Sequence, residues 1–324
     1  MRTKRLSTVA GVGLLAIALS AVVLPGTASA ADPVLITNSG GYSTQPSGTD
    51  PKDKVNRPLG AQVTIPAGQT RYLNSKLTVD NVREISEVSH LVLCRRPGQP
   101  AEVARLISGQ NVLTGGATSL LTRGFVTAPA DSLLHCEVYG QFVNHTANQP
   151  GRLEVMPSSY IQDMHGPTAA VRQTFNAKVL VNTKARVNSV SFTAPAGATA
   201  VQAISDLNVT VCYGEDEEGE RKLCKRSLKA RMDGRSSLVG TQLVMEQLAA
   251  DGSVCKTTTN GDLAGVNVTT TIHHFKINKY LINVPIVANC SRDFVFYTRV
   301  TANSGSNSFV VEGNNQSVGA VFVP

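Results

Sequence analysis

The sequence contains no tryptophan, and only 5% of its residues are aromatic. Sugar-binding clefts and flat polysaccharide platforms stack aromatic faces on the ring, so this scarcity weighs against a glycosidase and a cellulose-type platform. The six cysteines include no C-x₂-C pair, which removes the usual zinc signature. The motifs G-x-S-x-G, H-E-x-x-H and G-x-x-x-x-G-K-[ST] do not occur. No helical period runs convincingly over 11 residues or more. No apolar run reaches the roughly 20 residues that a membrane-spanning helix requires.

The first thirty residues read as an export signal. Arg2, Lys4 and Arg5 precede an apolar run at 14–24, a break at Pro25-Gly26 and the small-residue string "ASAA". Cleavage is expected after Ala30, releasing a secreted protein of residues 31–324. The Ala-rich style is bacterial, and the absence of an adjacent Arg pair favours the general export route. The chain carries +7; removal of the three signal charges leaves about +4, a balance that suits solubility and implies no nucleic-acid partner. An even number of cysteines in an exported chain reads as disulfides: Cys94, Cys136, Cys212, Cys224, Cys255 and Cys290.

Residues 31–60 are rich in Gly, Ser, Pro and charge, and are expected to be a flexible arm, with order beginning near Gln62. Beyond it, runs of Val, Ile, Thr, Leu and Phe alternate with turn residues. Strands are expected at 90–94, 133–143, 175–182, 207–213, 266–277 and 293–302. The best helix candidate is 241–252. Short strands with turns every 8–12 residues predict an all-β fold of Ig-like or jelly-roll-type β-sandwiches.

"VTIPAGQT" at 63–70 returns as "FTAPAGAT" at 192–199. Proline cannot donate to a ladder and ends a strand; the following glycine allows the turn into the next. The repeat suggests two sandwich domains related by duplication, 61–165 and 166–324, the second with an inserted charged hairpin. Aligning "LVLC" with "VTVC" and "HCEVY" with "NCSRDFVFY" matches Cys94 to Cys212 and Cys136 to Cys290. That alignment favours the pairs Cys94–Cys136, Cys212–Cys290 and Cys224–Cys255. The competing set joins Cys212 to Cys224 across a hairpin turning at Glu217–Gly219, and Cys255 to Cys290.

Two loops are candidate interaction sites. Glu215, Asp216, Glu217 and Glu218, followed by Arg221 and Lys222, form a charged hairpin tip that lacks the spacing of a calcium loop. In "CRRPGQP" at 94–100, Arg95 or Arg96 could serve a trypsin-like pocket, the basis of a protease-inhibitor reading. His273 and His274 are adjacent, so on one strand they face opposite ways. His90, His135, His145 and His165 show no recognisable ligand spacing, and no metal or cofactor is expected. The five N-x-[ST] sequons read as incidental in a bacterial protein.

These readings converge on a secreted, non-catalytic binding or structural protein whose partner is an extracellular protein or a cell-surface polymer. A hydrolase with a dispersed site and a protease inhibitor using the 95–100 loop are the alternatives.

Overall fold

The computed structural model describes residues 30–44, 55–144, 150–175, 177–213, 220–272, 274–313 and 316–324. The export signal and the run Glu215–Glu218 lie outside these residues. Among the described residues the fold is all-β with one short helix.

The first ten strands are β1 (Val34–Leu35), β2 (Gly40–Thr44), β3 (Val55–Ile65), β4 (Thr70–Arg83), β5 (Glu87–Arg95), β6 (Glu102–Asn111), β7 (Gly116–Thr127), β8 (Leu134–Val143), β9 (Gly151–Val155) and β10 (Tyr160–Asp163). They form one sheet in the order β1-β10-β4-β9-β2 with β7 also on β4, and a second in the order β3-β8-β5-β6. The next ten are β11 (Ala169–Phe175), β12 (Val179–Val181), β13 (Lys184–Thr193), β14 (Ala200–Val211), β15 (Ser236–Leu248), β16 (Val254–Thr269), β17 (Phe275–Pro285), β18 (Asp293–Ala302), β19 (Phe309–Val311) and β20 (Ser317–Val323). Their sheets run β11-β20-β14-β19-β12, with β17 on β14, and β13-β18-β15-β16. Adding ten to each strand number of the first pair of sheets reproduces the second pair. The two sandwiches therefore share one topology throughout.

The repeated phrase sits at the same turn in both. Gln69 N donates to Pro66 O at 3.1 Å, and Ala198 N donates to Pro195 O at 3.2 Å. Gly68 and Gly197 occupy the third position with φ of +70° and +87°, where a Cβ would be strained.

Alternation builds each core. On β4, Leu73, Leu77 and Val79 face inward and meet Val88 and Val92 of β5 and Val138 and Phe142 of β8 in one cluster. In the second sandwich the core has two apolar clusters, around Phe294 and Phe296 and around Phe309 and Val300. Buried polar groups lie on the same inward-facing strands: Thr298 donates to Ser205 Oγ at 2.6 Å and Asn188 Nδ2 donates to it at 3.1 Å.

Five expectations need correction. The arm at 31–60 contributes β1 and β2 to the first sandwich, paired with β10 and β9, and Ile36 joins the core. Its Gly and Ser content hid ladder positions supplied by backbone alone. The helix candidate at 241–252 is largely strand β15, because Leu243 and Met245 alternate into the core with period two. Residues 266–277 are the end of β16 and the start of β17, separated by a turn. The insertion between β14 and β15 does not return as a second strand, since helix α1 (Glu220–Arg226) occupies it.

The disulfides are the fifth. Cys94–Cys136 is present, but the others join Cys212 to Cys224 and Cys255 to Cys290, so Cys212–Cys290 and Cys224–Cys255 do not form. Cys94 lies on β5, whereas Cys212 follows β14, the counterpart of β4. The cysteines used to align the two halves are not equivalent positions, although the strand orders of the two halves are.

Candidate functional site

The outward face of β14 carries Ile204, Asp206, Asn208 and Thr210 at alternate positions, while Ala203, Leu207, Val209 and Val211 face the core. On β7, Leu120 and Val126 face inward and Phe125 outward. These two outward faces meet, so the seam between the sandwiches is built from equivalent sheets.

Its apolar part is an aromatic group. Phe125 lies 5.0 Å from Tyr72 and 5.0 Å from Phe322 between ring centroids, with Ile204 and Ala320 packed alongside. Burial pushes the Tyr72 hydroxyl up to about 12.

Its polar part centres on Arg123 and Asp206, whose side chains are 6% and 5% exposed. Arg123 Nε and Nη2 donate to Asp206 Oδ1 at 2.9 and 2.7 Å. Nη2 also donates to Lys279 O at 2.6 Å, and Asn278 Nδ2 donates to Asp206 Oδ1 at 2.7 Å. Lys276 is partly buried nearby and donates to Gln316 O; desolvation brings its ammonium down to about 8. Two further bonds stitch β6 to the segment entering β17: His274 N to Asn111 Oδ1 at 3.0 Å and Lys276 N to Gln110 Oε1 at 3.3 Å.

Beside this cluster a pocket of ≈ 90 Å³ opens between the sandwiches. Glu87, Ser89 and Gln141 line it from one side, and Asn208, His274 and Gln316 from the other. Asn208 is 1% exposed, its Nδ2 donates to Gln316 Oε1, and its Oδ1 is buried without a hydrogen-bond partner. A larger groove of ≈ 490 Å³ lies at the second Pro-Ala-Gly turn, but it is lined by Thr168, Asn283 and small or apolar residues and carries no titratable side chain.

The sequence-predicted residues fall elsewhere. Arg95 is drawn back onto its own sandwich: Nε donates to Pro100 O at 3.2 Å, Nη1 to Tyr139 OH at 3.0 Å, and the guanidinium lies over the Tyr139 ring. Arg96 makes a forked contact with Asp131 at 3.2 and 3.3 Å. Arg221 and Lys222 lie on α1, while Glu215, Asp216, Glu217 and Glu218 are outside the described residues, as are His145 and His273. His90 is buried, with Nε2 2.9 Å from Ser75 Oγ and Nδ1 3.2 Å from Leu120 O. Among the described residues no three His, Cys, Asp or Glu side chains are grouped to hold a metal. Asn208, the centre of one sequon, is inaccessible to modification in the folded chain.

Nothing in the sequence singled out the seam. Asp206 and Asn208 stand at alternate positions of an apolar strand, which is the available signal, but their partners Arg123 on β7 and Gln316 before β20 are distant in the chain.

No protein-family model matches the chain, and no curated protein matches it. Among solved structures, the chain is similar to the N-terminal CBM22-1-CBM22-2 tandem domain of Paenibacillus barcinonensis Xyn10C, at 10% identity and a TM-score of 0.27, covering 92% of this chain and 99% of that one. It is also similar to the infectious bursal disease virus VP2 subviral particle protein, at 10% identity and a TM-score of 0.24, covering 91% and 78%. At TM-scores this low, neither likeness assigns a family or a function.

Proposed function

We propose that the chain is an exported bacterial protein, cleaved after Ala30, that acts outside the cell by binding and carries out no catalysis. Its partner is a cell-surface glycan or an extracellular protein. The extracellular setting is supported by the pairing of all six cysteines, since such bonds persist where the surroundings are oxidising.

The observation that carries the binding role is the seam pocket. Carboxylate, hydroxyl, amide and imidazole groups from both sandwiches converge there, beside a buried acceptor that has no donor. A lining of mixed donors and acceptors, with no activated nucleophile, suits hydrogen bonding to a hydroxyl-bearing ligand. Glycan hydroxyls meet that need.

The test is capture with the oxidised 31–324 protein from cell walls and culture fluid of the producing organism, identified by mass spectrometry. One wall polymer or protein should be enriched reproducibly, and the variant Ser89→Ala/Gln141→Ala should retain at least tenfold less. Equal retention by the variant would remove the pocket from the binding surface. No enrichment by a correctly folded protein would overturn the binding role.

A further inference from the structure

A second cavity lies deeper in the seam, at the meeting of β6, β7, β11, β14 and β17. It holds ≈ 10 Å³, roughly one water-sized sphere. Arg123, Arg172, Lys276 and Asp206 line it, with Thr122 and Val318. Three cations thus surround one carboxylate.

That carboxylate is already engaged. Asp206 Oδ1 receives two bonds from Arg123 and one from Asn278, as described above. Among the described residues, neither Arg172 nor Lys276 has a carboxylate within ion-pair distance. Lys276 Nζ has a carbonyl as its acceptor, Gln316 O. Arg172 Nε is buried and has no acceptor. The backbone leaves this N–H room: a Cβ on Gly124 would lie 3.8 Å from Arg172 Nε and 2.9 Å from Leu106 Cδ2.

Arg172 and Lys276 are each partly buried, but the Arg172 Nε–H is enclosed, and an enclosed donor on a cation beside a second cation favours an accompanying counter-charge. Water in the cavity would accept the Arg172 N–H but leave the excess charge in place. A polyatomic oxyanion is too large for the space. We infer that the seam holds a single monatomic anion of halide size, chloride in ordinary media, which accepts from Arg172 Nε and offsets one of the two positive charges that Arg172 and Lys276 add beside the Arg123–Asp206 pair.

The inference is independent of the ligand proposed for the neighbouring pocket. An ion bound only by the joined sandwiches adds to stability as its concentration rises. Thermal unfolding is measured at fixed ionic strength in sodium chloride and in sodium gluconate, whose anion cannot enter. Gluconate is the more strongly excluded from protein surfaces, so a general salt effect would favour it. The midpoint should instead be higher in chloride by about 2–4 °C. Arg172→Gln should abolish the difference.

Should that variant not fold, the wild-type protein crystallised from sodium bromide supplies the answer directly. An anomalous peak beside Arg172 Nε is expected. Equal midpoints in the two salts, or electron density in the cavity without anomalous signal, would overturn the inference.

Discussion

Gln247 stands in the second sandwich where Cys94 stands in the first. Cys136 is registered with Val63 on one side and Cys94 on the other. Phe294 is registered with Phe192 and Gln247 in the same way, and Val63 and Phe192 open the two copies of the repeated phrase. Where the first sandwich uses a disulfide, the second uses an amide. Gln247 Nε2 donates to Val287 O at 3.0 Å and Ser291 O at 2.7 Å, and its Oε1 accepts from Val287 N at 2.9 Å. The side chain brackets the loop that leads into β18.

Replacing this bracket leaves the part-buried Val287 N–H without its acceptor and two carbonyls without their donor. Gln247→Ala should lower stability by about 2–3 kcal/mol, read by urea unfolding of the oxidised protein. Loss of the bracket should also loosen residues 286–291, so amide exchange there should quicken while the first sandwich is unaffected. A loss below about 0.5 kcal/mol would show that the loop is held by Cys255–Cys290 alone.

The Arg123–Asp206 pair makes a sharper prediction, because each partner is buried. Arg123→Met removes the forked partner of the buried Asp206 carboxylate, and Asp206→Leu leaves the Arg123 guanidinium buried without a carboxylate. Each single variant should lose about 3–5 kcal/mol. The double variant should recover much of that loss, since an apolar pair suits a seam that already holds Phe125 and Phe322. A double-mutant cycle measures the coupling; additive losses would show that the two side chains act separately.

The three disulfides differ in accessibility. Cys94, Cys136, Cys212 and Cys224 are all nearly or fully buried. Cys255 is exposed, on the edge strand β16, and Cys290 is half-buried. Mild reductant under native conditions should open Cys255–Cys290 first, with alkylation at those two positions alone by peptide mapping. That bond closes 35 residues, so Cys255→Ser/Cys290→Ser should cost about 4 kcal/mol in the loop-entropy account. Simultaneous labelling of all six cysteines would mean that reduction proceeds through global unfolding.

How far the sequence disclosed this molecule depended on the range of the interaction. The Pro-Ala-Gly turns, the strand at 293–302 and the all-β class were legible, because each is set by residues within one turn or one strand. The shared topology was visible through a single phrase, since the turn geometry demands Pro and Gly while the strands between need only alternation. Cysteines misled: Cys94 and Cys212 both end apolar strands, yet Gln247 holds the true counterpart position, and no local pattern distinguishes it. The seam was silent for the same reason. Arg123 and Asp206 look like ordinary surface charges until the two sheets meet.

His90 gives the pH prediction. It lies in the first core, where burial outweighs its bond to Leu120 O and brings the imidazole down to about 3 from an ordinary 6.5. A ring proton on Nδ1 serves Leu120 O, and Ser75 then divides its single hydroxyl proton between Nε2 and Tyr160 O. Because the folded value is lowered, the unfolded chain takes up a proton that the folded chain refuses between pH 6.5 and 3. Stability due to the neutral ring is fully present above pH 6.5 and falls, by about 1.4 kcal/mol per pH unit, as the solution is acidified through that window. By the register that equates Cys94 with Gln247, the counterpart of His90 is Leu243, which sits in the second core. His90→Leu borrows that solution: it should lower stability at pH 7, by leaving Leu120 O without its donor, yet flatten the decline between pH 6 and 4 by about one proton. Urea midpoints across the range decide it. An unchanged slope in the variant would move the acid sensitivity from His90 to the carboxylates.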